Sequence, residues 1–195
     1  MVTHGNLVSF VSNLDTKLEL EPSKRIGVTT SFTFDISILE ILGGLCTGKE
    51  LHLFSKEEIS DPFRMMEKLS EQKIEIVQLT PSRLIQLYDT KIAFSDSLQM
   101  MLIGGEAMDA NTYQNLKEES FRTINVYGPT ETTIWSSSRI IQEKETLDIG
   151  TPLYREQVYI LNTDNALQPK GVIGEICIGG PGVSKGYLNK PELTN

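Results

Sequence analysis

Asn125–Trp135 reads NVYGPTETTIW, a strand running into a turn. Its first residues belong to Thr123–Tyr127 (TINVY), a β-branched and aromatic run of strand type. Gly128-Pro129 breaks that run and sets a tight turn at its carboxyl end. In open α/β sheets that is where ligands sit. Thr130, Thr132 and Thr133 offer hydroxyls and nearby backbone N–H groups that can hold phosphate oxygens. Glu131 is a hard oxygen ligand able to hold a magnesium ion between such phosphates. An N-capping turn uses the same residue types, so composition alone leaves both readings open.

On the N-terminal side, short β-rich runs alternate with amphipathic ones. Arg25–Thr30 (RIGVTT), Glu50–Phe54 (ELHLF), Ile74–Leu79 (IEIVQL) and Leu98–Ile103 (LQMMLI) read as strands. Ile36–Leu45 (ISILEILGGL) is apolar on all sides and reads as a buried helix. Asp61–Gln72 opens with an N-cap aspartate and a first-turn proline, then repeats Phe63, Met66 and Leu69 at helical spacing. A further helix starts at Thr80-Pro81-Ser82 with Leu84, Ile85 and Tyr88 on one face, and Asp109–Glu119 reads as a polar helix. The alternation predicts an α/β fold, a mostly parallel sheet flanked by helices on both faces.

After about residue 146 the character changes. Val158–Leu161 (VYIL) and Ile173–Ile178 (IGEICI) read as strands joined by turns, because glycines crowd the stretch from Gly171 to Gly186. The expected division is residues 1–145, an α/β nucleotide- and substrate-binding subdomain, and 146–195, a partial β-rich, barrel-like one, with the boundary near Glu145–Gly150. MVTHGNLVSF enters a helix with no strand before it, and the chain stops at Asn195 with no closing element. Both ends are therefore expected to be internal to a longer protein.

The 195 residues carry 26 acidic against 18 basic side chains, a net charge of −8, and nothing in that balance suggests a duplex-DNA binder, which normally shows a basic face. Apolar residues at 39% and charged ones at 23% exclude a collagenous or wholly disordered chain. No apolar run approaches the ~18–20 residues of a membrane span, and the N-terminus lacks the layout of a signal peptide. Neither nucleic acid nor membrane is an expected partner. Cys46 and Cys177 form no CxxC or Cys/His cluster, so both are read as buried thiols in a reducing cytoplasm. His4 and His52 are read as structural residues at exposed loop and strand positions.

Two further features suit a ligand site. Gly104-Gly105-Glu106-Ala107 follows a strand directly, and consecutive glycines let a flat ring approach the backbone; a plain strand-to-helix turn would look the same. Asp35, in SFTFDISILEIL, stands between an aromatic run and an apolar helix. It suits an N-cap, and equally a counter-ion for a bound cation.

Asn125–Thr133 (NVYGPTETT), Gly174–Leu188 (GEICIGGPGVSKGYL) and Phe34–Ser37 (FDIS) resemble, in order and spacing, core motifs of the adenylation domains of nonribosomal peptide synthetases. These belong to the wider acyl-adenylate-forming superfamily, with acyl-CoA synthetases and luciferases. The resemblance covers the whole chain, while the chain covers less than half of such a domain. The upstream phosphate loop, the downstream aspartate that holds the ribose and the C-terminal domain with its catalytic lysine do not appear in it. Val2-Thr3-His4 resembles the tail just after the phosphate loop.

The resemblance implies an enzyme that activates an amino acid with ATP and magnesium. The amino acid's carboxylate attacks the α-phosphate, pyrophosphate leaves, and the aminoacyl-adenylate passes to the phosphopantetheine thiol of a peptidyl carrier protein. By the same resemblance Thr130 contacts phosphate and Glu131 the magnesium ion. Gly105, Glu106 and Ala107 line one face of the adenine, with Tyr127 opposite and Asn125 near its amino edge. Asp35 pairs with the substrate's ammonium. The pocket positions are Asp35, Ile36, Leu39, Gln78, Leu102, Gly104, Val126, Ile134 and Trp135. Bulky Trp135, Leu39 and Leu102 leave room for little beyond glycine, with alanine next. The chain alone is expected to be inactive. The alternatives are a fragment of an acyl- or aryl-CoA ligase, which Asp35 argues against, and an inactive nucleotide-binding module.

Overall fold

The computed structural model describes residues 1–194 other than 17, 21, 22, 144 and 145. Its centre is a seven-stranded sheet in the order β2-β1-β3-β4-β5-β6-β7. The strands are β1 (Arg25–Val28), β2 (Glu50–Leu53), β3 (Ile76–Leu79), β4 (Met100–Gly104), β5 (Arg122–Tyr127), β6 (Ser137–Ile140) and β7 (Thr151–Pro152). From β2 to β5 every pairing is parallel; β6 and β7 join antiparallel. The order 2-1-3-4-5 makes the crossover change direction between β1 and β3, the kind of switch point that opens a crevice at the strands' carboxyl ends.

Two apolar clusters cover the two faces of this sheet, and strand periodicity assigns residues to them. Ile76, Met100, Leu102 and Ile124 pack in one cluster with Phe10, Leu14 and Leu39. Their neighbours Val77, Met101 and Ile103 point to the other, with Met65, Leu69, Leu84 and Leu116. Alternate side chains of a strand leave on opposite faces, so a sheet covered twice needs apolar residues at every position. That is why these strands read as continuous apolar runs.

The helices on these faces start on local signals. Asp61 accepts from the backbone N–H groups of Phe63 (2.9 Å) and Arg64 (3.4 Å) to cap α5 (Pro62–Glu71), with α4 (Lys56–Ser60) just before it. Thr80 caps α6 (Pro81–Asp89) through the Arg83 N–H at 3.3 Å, and Asp109 caps α7 (Ala110–Glu118) through Asn111 and Thr112. The first helix, α1 (His4–Thr16), contributes Phe10 and Leu14 to the core.

Several expectations are corrected. Ile36–Leu45 is not one buried helix: α2 (Ile36–Ile38), a π-helical turn (Leu39–Gly43) and α3 (Gly44–Cys46) follow one another, and Leu42 and Leu45 are exposed. A π-turn closes i→i+5 bonds instead of i→i+4, so apolar positions spaced for an α-helix no longer fall on one face, and Leu42 within it and Leu45 after it reach solvent. Cys46 is exposed and Cys177 half-buried, so neither is the buried thiol expected. The main sheet also runs past the division expected at 145/146, since Thr151 and Pro152 pair with Ser138 and Ser137 and Leu153 lies in the core. Glu145 and Asn195, named in those expectations, lie outside the described residues.

The β-rich part is a two-stranded antiparallel sheet of β8 (Gln157–Leu161) and β9 (Glu175–Gly179), followed by a loop and α8 (Pro191–Thr194). The loop folds back on the start of the chain: the Asn6 side-chain amide donates to the carbonyls of Pro181 (2.6 Å) and Val183 (3.0 Å). Among the described residues no helix is long and apolar enough to cross a membrane.

Candidate functional site

Three cavities open along the carboxyl ends of the parallel strands. The largest, about 500 Å³, lies beyond β4 and β5. One wall is Gly105-Glu106-Ala107, and the others include Asn125, Tyr127 and Trp135. Gly105 sits at φ 87°, a left-handed conformation that frees the backbone after β4 to turn away. Glu106 is drawn aside: its carboxylate accepts from the Ser82 N–H (3.0 Å) and the Ser82 hydroxyl, whose bond holds it below the usual carboxylate range. Asn125 donates through Nδ2 to the Asp148 carbonyl at 2.7 Å, which fixes the amide plane and leaves Oδ1 as an acceptor. The space is thus mostly apolar with a few fixed polar edges, as a heterocycle requires.

The second cavity, about 260 Å³, holds Asp35 together with His4, Thr130, Thr133 and Ile134. Asp35 occupies the N-cap position of α2, yet its side chain makes no capping bond. The side-chain N-cap account of this residue therefore fails, and the residue lines the cavity. The third cavity, about 360 Å³, lies between the ends of β1 and β3 at the switch point. Thr29, Thr30, Ile36 and Gln78 line it, and buried Gln78 Oε1 has no hydrogen-bond partner.

The turn after β5 is held under strain. Thr133 and Ile134 both adopt positive φ, 64° and 74°. For β-branched residues such conformations cost on the order of 1–3 kcal/mol each and persist only where the surroundings enforce them. Here Thr133 Oγ1 donates to the Gly182 carbonyl at 2.7 Å and Ile134 is buried. A Cβ on Gly128 would lie 2.7 Å from the Ile134 carbonyl oxygen, so only glycine lets the turn fold back this tightly. Thr132 and Thr133 are buried with their hydroxyls engaged; of the three expected phosphate hydroxyls only that of Thr130 stays exposed.

Glu131 is exposed beside Thr130, and the Tyr187 hydroxyl donates to its Oε1. That bond holds the carboxylate below its usual range, ionised at neutral pH. One hard carboxylate oxygen beside an anion site suits magnesium, which binds through one or two carboxylates plus substrate phosphates.

The expected site residues are thus only partly brought together. Gly105, Glu106, Ala107, Asn125 and Tyr127, which the resemblance groups around an adenine, line one cavity. The nine substrate-pocket positions do not. Asp35 and Ile134 border the second cavity, Ile36 and Gln78 the third, and Val126 and Trp135 the first. Leu39 and Leu102 are fully buried in the core and line none of the three. Gly104 is likewise absent from them; a Cβ there would lie 2.4 Å from the Val126 carbonyl oxygen and 2.9 Å from the tip of Trp135. A glycine there lets β4 lie close against Val126 and leaves room for the indole. His4, read as structural, faces Asp35's cavity, and Glu40, Thr29 and Thr30 went unmarked. The signal for Glu40 was a lone acid within ISILEILGGL.

Comparison with known proteins agrees with this geometry. The profile of the AMP-binding enzyme family matches residues 1–188. The dimodular nonribosomal peptide synthase of Bacillus subtilis is 35% identical across the whole chain, as is tyrocidine synthase 1 of Brevibacillus parabrevis. The chain spans 8% and 18% of their lengths. Among solved structures, holo-AB3403, a four-domain nonribosomal peptide synthetase bound to AMP and glycine, superposes on the entire chain with a TM-score of 0.93 at 34% identity and is covered to 15%. The chain belongs to the AMP-binding enzyme family, and its matched relatives there are nonribosomal peptide synthetases.

Proposed function

We propose that this chain supplies the nucleotide wall and the ammonium partner of an amino-acid adenylation site acting on glycine or another very small amino acid. The observation that carries the reading is Asp35, which makes no capping bond and lines a cavity with Thr130, while the larger cavity lies on the other side of the same turn, against Tyr127 and Gly128. A substrate ammonium would sit against Asp35, which aims the substrate's carboxylate towards the phosphate end of the turn. The adenine would lie between Gly105–Ala107 and Tyr127, with Asn125 Oδ1 accepting from its amino group.

In the reaction the substrate carboxylate oxygen forms a bond to the α-phosphorus while the bond to pyrophosphate breaks. Such a step needs alignment and neutralisation of charge more than a covalent catalyst. Thr130 would hold phosphate oxygens, and Glu131 would hold a magnesium ion that offsets the charge developing on the leaving pyrophosphate. The adenylate would then be passed to a peptidyl carrier protein's phosphopantetheine thiol. A small substrate is supported by the modest cavity, about 260 Å³, that Asp35 lines, and by the glycine bound in the holo-AB3403 structure.

The test is ATP–pyrophosphate exchange by the full-length protein that contains this chain, with glycine, alanine, leucine, phenylalanine and carboxylic acids lacking an amino group. Glycine is expected first and alanine second, with no exchange by the 195 residues alone. Preference for leucine or phenylalanine would sink the pocket argument. Preference for an acid without an ammonium would favour an acyl- or aryl-CoA ligase.

A further inference from the structure

Glu40 stands in the π-helical turn with its side chain fully buried. Its Oε2 accepts from the backbone N–H groups of Thr29 (3.1 Å) and Thr30 (3.0 Å), and its Oε1 from their hydroxyls at 3.3 and 2.8 Å. Both threonines lie just past the end of β1 and line the third cavity. The helical run that carries Glu40 begins at Asp35 and Ile36, which border the second and third cavities. A buried carboxyl is costly unless its acceptors are filled, and here one strand end fills them all.

We propose that Glu40 is a positioning residue: its carboxyl ties the Thr29–Thr30 end of β1 to the helical run starting at Asp35, and so fixes the amino-acid end of the site. The second half of that statement rests on the adenylation reading above; the tie itself does not.

The arrangement asks for an acceptor at Oε2, which meets two backbone N–H groups, and at Oε1 for a group that can meet two hydroxyls, rather than for charge. Thr29 Oγ1 also lies 3.2 Å from the Gln78 carbonyl oxygen, and a hydroxyl has a single proton to give. With that proton on Gln78, a protonated Glu40 donates to Thr29 Oγ1 in turn. Burial pushes the carboxyl up to about 7 against the pull of the threonine hydrogen bonds. The groups facing it are Thr29 and Thr30 from the end of β1, with the Gln78 carbonyl of β3 behind them; among the described residues no charged side chain shifts its titration. Glutamine keeps the acceptor for the two backbone N–H groups and turns its NH2 to the threonine hydroxyl oxygens, whereas leucine, of similar size, supplies neither.

Amide hydrogen exchange on the chain reads the tie directly. Protection at Thr29 and Thr30 is expected to survive Glu40→Gln and to fall about tenfold or more in Glu40→Leu. In pyrophosphate exchange by the full-length protein, Glu40→Leu is expected to raise the amino-acid KM about tenfold or more while the ATP KM stays within about twofold. Glu40→Gln should leave both near wild type. Equal protection in all three proteins, or both KM values rising together, overturns the proposal. If Glu40→Leu does not fold, Thr30→Val, which removes one donor, carries the same test with a smaller rise in the amino-acid KM alone. A wild type without exchange on any amino acid counts against adenylation, while hydrogen exchange still decides the tie.

Discussion

Asp35 shows how much a single side chain is asked to do. It starts α2 without capping it and borders a cavity with Thr130 and Ile134, which leaves its charge available to a guest. Asp35→Asn keeps the shape and removes the charge. The expected loss is on the order of 2 kcal/mol of amino-acid binding, roughly thirtyfold in KM with the ATP KM unchanged. An unchanged amino-acid KM in pyrophosphate exchange would contradict the ammonium role. At this scale the residues around the turns after β4 and β5 were legible, while Gly104, Gln78, Thr132 and Thr133 were not. Asn125, Tyr127 and Gly105–Ala107 do share a cavity. The sequence was uninformative for Leu39 and Leu102, because core-facing and cavity-facing positions of a doubly covered sheet are equally apolar.

Elements with local signals were legible, and those made by distant partners were not. Asp61-Pro62 marks the start of α5 unaided, and Asp61→Ala should cost about 1 kcal/mol, seen as a lower urea midpoint with an unchanged slope. No change in the midpoint would mean that solvent satisfies those amides as well as Asp61 does. By contrast β6 is SSRI, a polar stretch that becomes a strand only by pairing with β5, and β7 is two residues long. The π-turn, too, has no sequence signature of its own; Glu40's bonds to β1 hold it.

For the molecule as a whole, the alternation of strands and helices announced a mostly parallel sheet, but the order 2-1-3-4-5 depends on pairings between distant segments. The cavity at the β1/β3 switch follows from that order. Glu40 also couples the whole fold to pH. Its carboxyl rises from 4.5 to about 7 on folding, so between those values the native state holds a proton that the unfolded chain has released. Stability from this group is full below pH 4.5 and is lost as pH rises through about 7, on the order of 3 kcal/mol in total. Glu40→Gln should flatten that part of the stability–pH curve measured by urea unfolding. An identical slope in the variant would mean that another group titrates there.

Trp135 is the only tryptophan of these 195 residues and lines the cavity proposed for the nucleotide, so in this chain its emission responds to a guest bound there. Titration with AMP is expected to give a saturable change in Trp135 fluorescence. Asn125→Ala, which removes the acceptor for the adenine amino group, should weaken it about tenfold. An emission spectrum indifferent to AMP, or an affinity untouched by Asn125→Ala, would contradict a nucleotide site at the ends of β4 and β5.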